Sequence, residues 1–167
     1  GIENGSAQNP YTNLNTAFAA TIHGDTVQIA AGDYTLTGLL VKRGLRIIGL
    51  SPAQTRVTTS TGFFFASGWY EGEISNLAVI SPRSGLYVSG SQNMVIRNVS
   101  INAVYTSLSI GGSQNISVSN VSLHSDGTTG LSISNSRDIN IDHCIVTGSN
   151  AANSSALYSF ASISAVT

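Results

Sequence analysis

A short sequence recurs along this chain at a nearly constant spacing. SGSQNMVIRNVSI begins at Ser89, and GGSQNISVSNVSL begins at Gly111, 22 residues later. Self-similarity at this period is the sequence signature of solenoids and related repeat arrays. We therefore expect one structural unit to stack on the next along most of the chain.

Equivalent positions recur on both sides of these two copies. The matching positions are Gly49, Asn76, Asn98, Asn120 and His143, separated by 27, 22, 22 and 23 residues. A short run such as Leu86-Tyr87-Val88 precedes each copy. Apolar and polar residues alternate in these runs, which is typical of strands with one buried face. Each repeat is therefore predicted to form three short strands separated by turns.

Units of this size cannot hold a core alone, so we expect them to stack as rungs of a parallel coil. With strands about 4.8 Å apart, about six to seven rungs give a column on the order of 30 Å tall. Asparagine tolerates the left-handed backbone that a sharp bend needs, and stacked amides hydrogen-bond along a column. A structural ladder is thus predicted at Asn76, Asn98, Asn120 and His143. Asn98→Ala is expected to destabilise the fold more than Asn93→Ala.

The repeat resembles the right-handed parallel β-helix of the pectin-lyase-like superfamily. The N-terminal stretch from Gly5 to Leu50 is also similar to the entry segment of this superfamily. Its sequence is GSAQNPYTNLNTAFAATIHGDTVQIAAGDYTLTGLLVKRGLRIIGL. It contains an Asn-Pro-aromatic turn, a short capping helix and a GDTV strand. The resemblance covers essentially the whole chain and implies an all-β, right-handed parallel β-helix with three parallel sheets and a short N-terminal capping helix. It does not imply one function, since this architecture hosts lyases, hydrolases, esterases, epimerases, phage tail spikes and adhesins.

The domain organisation follows from the same pattern. Residues 1–167 are predicted to form a single β-helix domain, with a cap over residues 1–24 and rungs over residues 25–167. The capping helix is expected from Thr12 to Thr21, closed by His23-Gly24. After Asn153 the sequence resembles another rung without a cap, and open solenoid ends expose unpaired strand edges. We therefore expect the natural chain to continue, or a partner chain to cover this end by self-association.

Composition excludes several classes of function. Only 9% of residues are charged and the net charge is −1, which argues against a nucleic-acid partner. No apolar run approaches the ~18 residues of a membrane span. The single cysteine, Cys144, excludes an internal disulfide framework and is predicted to be a small core residue. Because the chain begins without Met or a signal peptide, we expect a mature secreted or cell-surface protein, or an excised domain.

The predicted outer face of the first sheet carries no acidic residue. Two outward rows are predicted there: Leu40, Phe64, Tyr87, Ser109 and Ser132, and Lys42, Ala66, Ser89, Gly111 and Ser134. In the enzymes that the chain resembles, this face holds acidic catalytic residues or calcium ligands, and hydrolysis requires such groups to converge. The sequence therefore argues against catalysis and predicts neither a cofactor nor a metal ion, although it does not settle the matter. If the protein is an enzyme, the resemblance implies a polysaccharide lyase or a glycoside hydrolase.

Three residues are weak catalytic candidates. His124 and Asp126 lie on a predicted loop beside the first sheet, where an acid–base pair would be well placed; a Ser-Asp-Gly turn is the preferred interpretation. Asp142 lies in IDHC, which resembles an element of pectate lyases whose Asp binds calcium, but the Trp of that element is absent. We interpret Asp142 as a solvated surface residue. Glu71 and Glu73 near Arg97 predict an ordinary surface ion pair across adjacent rungs.

Aromatic residues are the better binding candidates. The candidate ligand-binding residues are Phe64, Trp69, Tyr70, Tyr87 and Tyr105, because flat rings stack on the apolar faces of sugars. Alternatively, Trp69 and Phe64 pack beneath the ASGWYEG turn. Three hypotheses follow: a non-catalytic module that binds a polysaccharide or glycan, or acts as an adhesive element; a glycan-cleaving enzyme whose site lies partly outside this chain; and a shaft module of a phage or viral fibre.

Overall fold

A computed structural model describes residues 4–37, 44–60, 64–127, 129–148, 155–160 and 163–166. The described residues form an all-β parallel solenoid with one short helix, as predicted. In the described residues the solenoid has about five turns, slightly fewer than the six to seven rungs expected from the sequence. None of the described helices is long and apolar enough to span a membrane.

The helix α1 runs from Leu14–Ala20 at the N-terminal end of the solenoid. Asn13 caps it, because its side-chain oxygen accepts hydrogen bonds from the N–H groups of Asn15 and Thr16 at 2.8 and 3.3 Å. The helix buries Leu14 and Phe18 against the first rungs. It begins two residues after the predicted start at Thr12 and ends at Ala20 with Thr21 as its C-cap, one residue before the predicted end.

Short strands make up nearly all the remaining regular structure. In chain order they are β1 Thr26–Gln28, β2 Gly32–Leu36, β3 Arg46–Ile48, β4 Thr55–Thr59, β5 Phe64–Ser67, β6 Glu73–Ser81, β7 Leu86–Ser89, β8 Gln92–Ala103, β9 Thr106–Gly111, β10 Gln114–Ser125, β11 Thr129–Ser134, β12 Arg137–Asp142, β13 Ile145–Gly148, β14 Ser155–Phe160 and β15 Ile163–Val166.

These strands pair in parallel and form three faces. The first sheet contains β5, β7, β9, β11 and β14. The second contains β1, β3, β12, β15 and the first halves of β6, β8 and β10. The third contains β2, β4, β13 and the second halves of the same three long strands. Each long strand therefore turns a corner between two faces.

Residues in the left-handed backbone conformation form this corner between the second and third sheets. Asn76, Asn98 and Asn120 have φ values of 57°, 51° and 52°, and strand pairing skips all three positions. His143 occupies the same position in the last described copy, with φ 49°. The Asn98 Nδ2 donates to Asn76 Oδ1 at 2.8 Å. The equivalent Gly49 is required for space, since a Cβ there would lie 2.2 Å from the Asn76 carbonyl oxygen.

Two further columns of left-handed residues lie between the first and second sheets. One contains Gly68, Gly90, Gly112 and Asn135, and the other contains Glu71, Asn93, Asn115 and Asp138. In the second column, Asn115 Nδ2 donates to Asn93 Oδ1 at 2.6 Å. These columns were not predicted from the sequence, although the recurring Gly-Ser-Gln-Asn motif contains both positions.

The interior is built from columns of similar side chains one rung apart. Ile74, Ile96, Val118 and Ile141 form one apolar column, in register and buried. Cys144 is half-buried and packs against this core, as its alignment with core positions predicted. Burial raises the pKa of the Cys144 thiol, which makes the thiolate less accessible.

A column of buried serines closes the corner between the first and second sheets. Ser91, Ser113 and Ser136 lie there with 0%, 3% and 6% of their surface exposed. The N–H of Ser91 donates to Ser113 Oγ, and that of Ser113 donates to Ser136 Oγ, each at 3.1 Å. These hydroxyls satisfy backbone groups that the bend removes from the strand pairing.

Candidate functional site

The outer face of the first sheet is the candidate binding surface. Tyr87, Ser109 and Ser132 lie opposite one another on β7, β9 and β11, and all three are half-buried. They form the hydroxyl row, which runs along the solenoid axis with about 4.8 Å between neighbouring strands. The spacing of the repeats predicted these three positions correctly.

On β5, the position predicted to continue this row was wrong by one residue. Phe65, not Phe64, is paired with Tyr87, whereas Phe64 is paired with the buried Leu86. Ala66 is fully buried, and Ser67 is paired with Ser89 in its place. Side chains alternate between faces along a strand, so an offset of one residue moves every side chain to the opposite face.

The remaining predicted members of the two outward rows are placed as follows. Leu40 and Lys42 lie outside the described residues. Ser89, Gly111 and Ser134 are paired with one another in register, as predicted, and all are half-buried.

Tyr87 has space to lie across the neighbouring rung. A Cβ placed on Gly111 would come within 4.0 Å of the Tyr87 hydroxyl and within 3.4 Å of Ser134 Oγ. The Tyr87 side chain therefore reaches across to the rung of Gly111, within van der Waals distance of that position. An aromatic ring with a hydroxyl group is suited to stacking and hydrogen bonding with a sugar.

Trp69 is not part of this surface. Its side chain is 0% exposed. Its backbone N–H donates to Ser91 Oγ, the first hydroxyl of the buried serine column, at 3.1 Å. A Cβ on Gly72 would lie 2.6 Å from the indole ring, so that glycine makes room for it. Trp69 is thus a core residue, and its assignment as a ligand-binding residue was wrong.

Tyr70 and Tyr105 are exposed at opposite edges of the first sheet. Tyr70 is 48% exposed and lies on the connection from β5 to the second sheet; Tyr105 is 50% exposed and lies between β8 and β9. The width of the first sheet therefore separates them. They flank the hydroxyl row, one on each side, rather than forming one aromatic cluster with it.

His124 and Asp126 are in contact at the corner between the third and first sheets. The His124 Nε2 lies 3.1 Å from Asp126 Oδ1, and its Nδ1 lies 2.9 Å from Thr147 Oγ1. Thr147 belongs to the next rung, where it is paired with His124, and sequence reasoning did not identify it. The side chains of His124 and Asp126 are 36% and 56% exposed, so water reaches this pair.

Asp142 lies on the second sheet, away from that corner. It is two strands from Arg97, with Ser119 between them, which is the predicted register. Its Oδ1 contacts Nδ1 of the exposed His143 at 2.6 Å. Within the described residues, no group of three or more His, Cys, Asp or Glu side chains is placed to hold a metal ion.

A buried carboxylate on the second sheet replaces the expected surface ion pair. Glu73 accepts hydrogen bonds from Arg46 at 2.8 and 3.1 Å, from Arg97 at 2.7 and 3.0 Å, and from Ser75 at 2.8 Å. Its side chain is only 11% exposed. Burial acts to raise the pKa of Glu73, but these hydrogen bonds outweigh burial and hold it below its usual value.

The sequence itself matches a known family. Residues 60–165 match the family described as "Right handed beta helix region". The chain belongs to this family. The match extends over more than half of the chain and includes the hydroxyl row and the His124–Asp126 pair. No curated protein matches the chain.

Solved structures share the same fold at low sequence identity. ORF18 of Geobacillus virus E2 matches with a TM-score of 0.59 and 10% identity over 82% of this chain and 39% of its own. A pectin methylesterase variant in complex with a hexasaccharide matches with a TM-score of 0.56 and 14% identity, over 82% of this chain and 65% of its own. Pectate lyase Pel9A matches with a TM-score of 0.58 and 17% identity, over 85% of this chain and 44% of its own. The chain thus spans less than two thirds of the length of each, and the likeness concerns the fold alone.

Proposed function

We propose that this β-helix is a secreted or cell-surface module that binds a polysaccharide on the outer face of its first sheet and does not cleave it. The observation that carries the proposal is the hydroxyl row of Tyr87, Ser109 and Ser132. A straight row of half-buried hydroxyls beside an aromatic ring suits an extended sugar chain. The fold is also that of a pectin methylesterase solved with a hexasaccharide, which supports a glycan as ligand.

The absence of acid–base groups on this face supports binding without turnover. The five strands of the first sheet contain no Asp, Glu, His, Lys or Arg within their described bounds. Shallow stacking and hydroxyl hydrogen bonds are expected to give dissociation constants in about the micromolar to millimolar range. Nothing in these strands activates water or stabilises a carbanion.

Binding to a polysaccharide panel, measured by affinity electrophoresis and calorimetry, tests this proposal. Tyr87→Ala should weaken binding about tenfold or more, because it removes the stacking ring. Ser109→Ala should weaken binding detectably, whereas Ser119→Ala should not. The two serines are a matched pair, since both are half-buried outward residues, on the first and second sheets respectively. Unchanged binding by the Tyr87 and Ser109 variants would show that this face does not bind the polysaccharide.

A glycan-cleaving enzyme is the second candidate, and one observation favours it. The contact between His124 and Asp126 gives a possible general base beside the first sheet. However, the other described carboxylates lie away from this pair: Glu71 and Asp138 at the opposite edge of the first sheet, Glu73 and Asp142 on the second sheet, Asp33 on β2 and Asp25 just before β1. We therefore expect no product in reducing-end and unsaturated-product assays. Turnover that is lost in both His124→Ala and Asp126→Asn, with binding retained, would establish the enzyme instead.

A further inference from the structure

A cleft of about 320 Å³ lies at the N-terminal end of the solenoid. The helix α1 contributes Leu14 and Ala17 to its lining, and Tyr11, just before the helix, extends this apolar wall. Residues 26–30, which include β1, line it as well, together with Tyr34 of β2. None of the lining residues belongs to the first sheet, so the cleft is separate from the hydroxyl row.

The strand β1 lies at an open edge of the second sheet. Among the described strands it pairs with β3 alone. The carbonyl of Asp25 and the N–H of Ile29 are hydrogen-bonded to β3 at 2.9 and 2.8 Å. Because the peptide groups of successive residues point to opposite sides of a strand, those of Thr26 and Gln28 point away from β3. Both residues are exposed and line the cleft, so its β1 side offers strand-edge N–H and C=O groups.

The spacing of these groups matches that of a peptide backbone. Thr26 and Gln28 each offer one donor and one acceptor, and they are about 6.6 Å apart along the strand. An extended peptide presents complementary groups at the same repeat, which is the basis of peptide binding by strand addition. The apolar wall formed by Tyr11, Leu14 and Ala17 gives alternate side chains of such a peptide a surface to pack on.

The position of Asp25 defines the direction of the peptide. Asp25 is the only charged residue among the described residues that line the cleft. Its Oδ2 accepts from the N–H of Ile22 at 2.8 Å, and none of the ion pairs within the described residues involves it. Arg46, on the adjacent strand, is bound to Glu73 instead. A peptide parallel to β1 brings its amino end to this carboxylate, whereas an antiparallel one brings its own carboxylate there, and like charges repel.

We propose that this cleft binds the extended amino-terminal segment of a partner protein, added to β1 as a parallel strand. Main-chain hydrogen bonds to Thr26 and Gln28 hold the segment, and its free α-ammonium group lies at Asp25. The proposal concerns a different surface from the hydroxyl row and does not depend on the binding of a polysaccharide.

Synthetic hexapeptides with free amino termini and amidated carboxyl ends, randomised at one position after another, are the probe. Fluorescence anisotropy measures their binding. We expect apolar residues to be selected at alternate positions. Acetylation of the amino terminus of the tightest-binding peptide should weaken its binding about fivefold or more, because it removes the charge that faces Asp25. Methylation of single backbone nitrogens should weaken binding at every second position, since only those N–H groups face β1.

Substitutions at two lining residues provide the matching test on the protein. Gln28→Pro should weaken binding about tenfold or more, because it removes an N–H that faces the cleft and leaves the hydrogen bonds from β1 to β3 in place. Gln28→Ala keeps that N–H and is the matched control, with unchanged binding expected. Asp25→Asn keeps an acceptor for the N–H of Ile22 and should abolish the difference between free and acetylated peptides. Urea titration checks that each variant is folded.

The outcomes decide between occupants. Absence of binding by all peptides, or a methylation profile without alternation, overturns the proposal. Equal binding of free and acetylated peptides to the unsubstituted protein overturns the position of the amino end. A mass that rises with concentration in sedimentation equilibrium, but not in Gln28→Pro, would assign the cleft to a second copy of this chain. Tighter peptide binding after removal of residues 1–3 would assign it to the chain's own N-terminus, and either result overturns the proposal.

Discussion

A single hydroxyl inside the solenoid serves the backbone of two rungs. Ser113 Oγ accepts from the N–H of Ser91, one rung earlier, and donates to the carbonyl of Gly111 in its own rung at 3.0 Å. The same Gly111 carbonyl also accepts from the N–H of Gly90 at 2.9 Å. The sequence alone did not predict this role for the serines, because their burial is not visible in the composition.

Removing that hydroxyl should therefore destabilise the fold. We expect Ser113→Ala to lower the free energy of unfolding by about 1–3 kcal/mol, because the buried N–H of Ser91 loses its acceptor. Ser119→Ala, at an outward position one strand segment away, should change it by no more than about 0.5 kcal/mol. Urea titration of the three proteins measures this difference, and equal midpoints would contradict the role of the serine column.

The long strands depend on left-handed residues to turn from the second sheet to the third. Asn98 combines a positive φ with a side-chain hydrogen bond to Asn76. Asn93, which the sequence analysis used as a harmless comparison, also has a positive φ of 53° and accepts from Asn115. Asn93 is therefore unsuitable as a control. Asn98 is also exposed, so its amide contributes less than a buried group would.

We expect the backbone, rather than the amide, to dominate the effect of substitution at this corner. Asn98→Ala should cost about 1–2 kcal/mol, because alanine adopts the left-handed region less readily than asparagine does. Asn98→Gly should recover most of that loss, since glycine adopts this conformation without strain. Asn102→Ala, at an exposed outward position of the same strand, is the control. A glycine variant as unstable as the alanine variant would instead assign the effect to the amide.

At the scale of the whole molecule, Glu73 joins three successive rungs of the second sheet. Arg46 lies on β3, Glu73 on β6 and Arg97 on β8, so the two arginines approach the carboxylate from either side. The pKa of Glu73 is lower in the folded protein than its usual value of about 4.5. Its stabilising contribution is therefore complete above the unfolded pKa and is lost as the pH falls through the folded pKa.

The stability of the folded protein should accordingly fall in acid, in part through this residue. Glu73→Gln should lower the free energy of unfolding at pH 7 by about 1.5–3 kcal/mol, because hydrogen bonds from charged donors are weakened. The difference between wild type and variant should narrow below about pH 4.5. Chemical denaturation across pH 3–7 measures it. A difference that stays constant over this range would contradict the pKa direction.

The sequence by itself determined the repeat, the parallel stacking and one corner of the solenoid. Stacked units of equal length place equivalent residues above one another, so Asn76, Asn98 and Asn120 could be assigned to one corner before any coordinates were known. The row of Tyr87, Ser109 and Ser132 followed in the same way, because those three repeats have nearly equal length and clear alternation.

Only the tertiary structure decided which side chains face inward where that alternation fails. In Phe63-Phe64-Phe65 every residue is apolar, so the sequence could not fix which of them shares a row with Tyr87. Burial of Trp69 and Glu73 depends on neighbours 22 or more residues away. The contact of His124 with Thr147 likewise joins residues 23 apart on successive rungs. Such contacts arise from stacking in space, which a local pattern does not record.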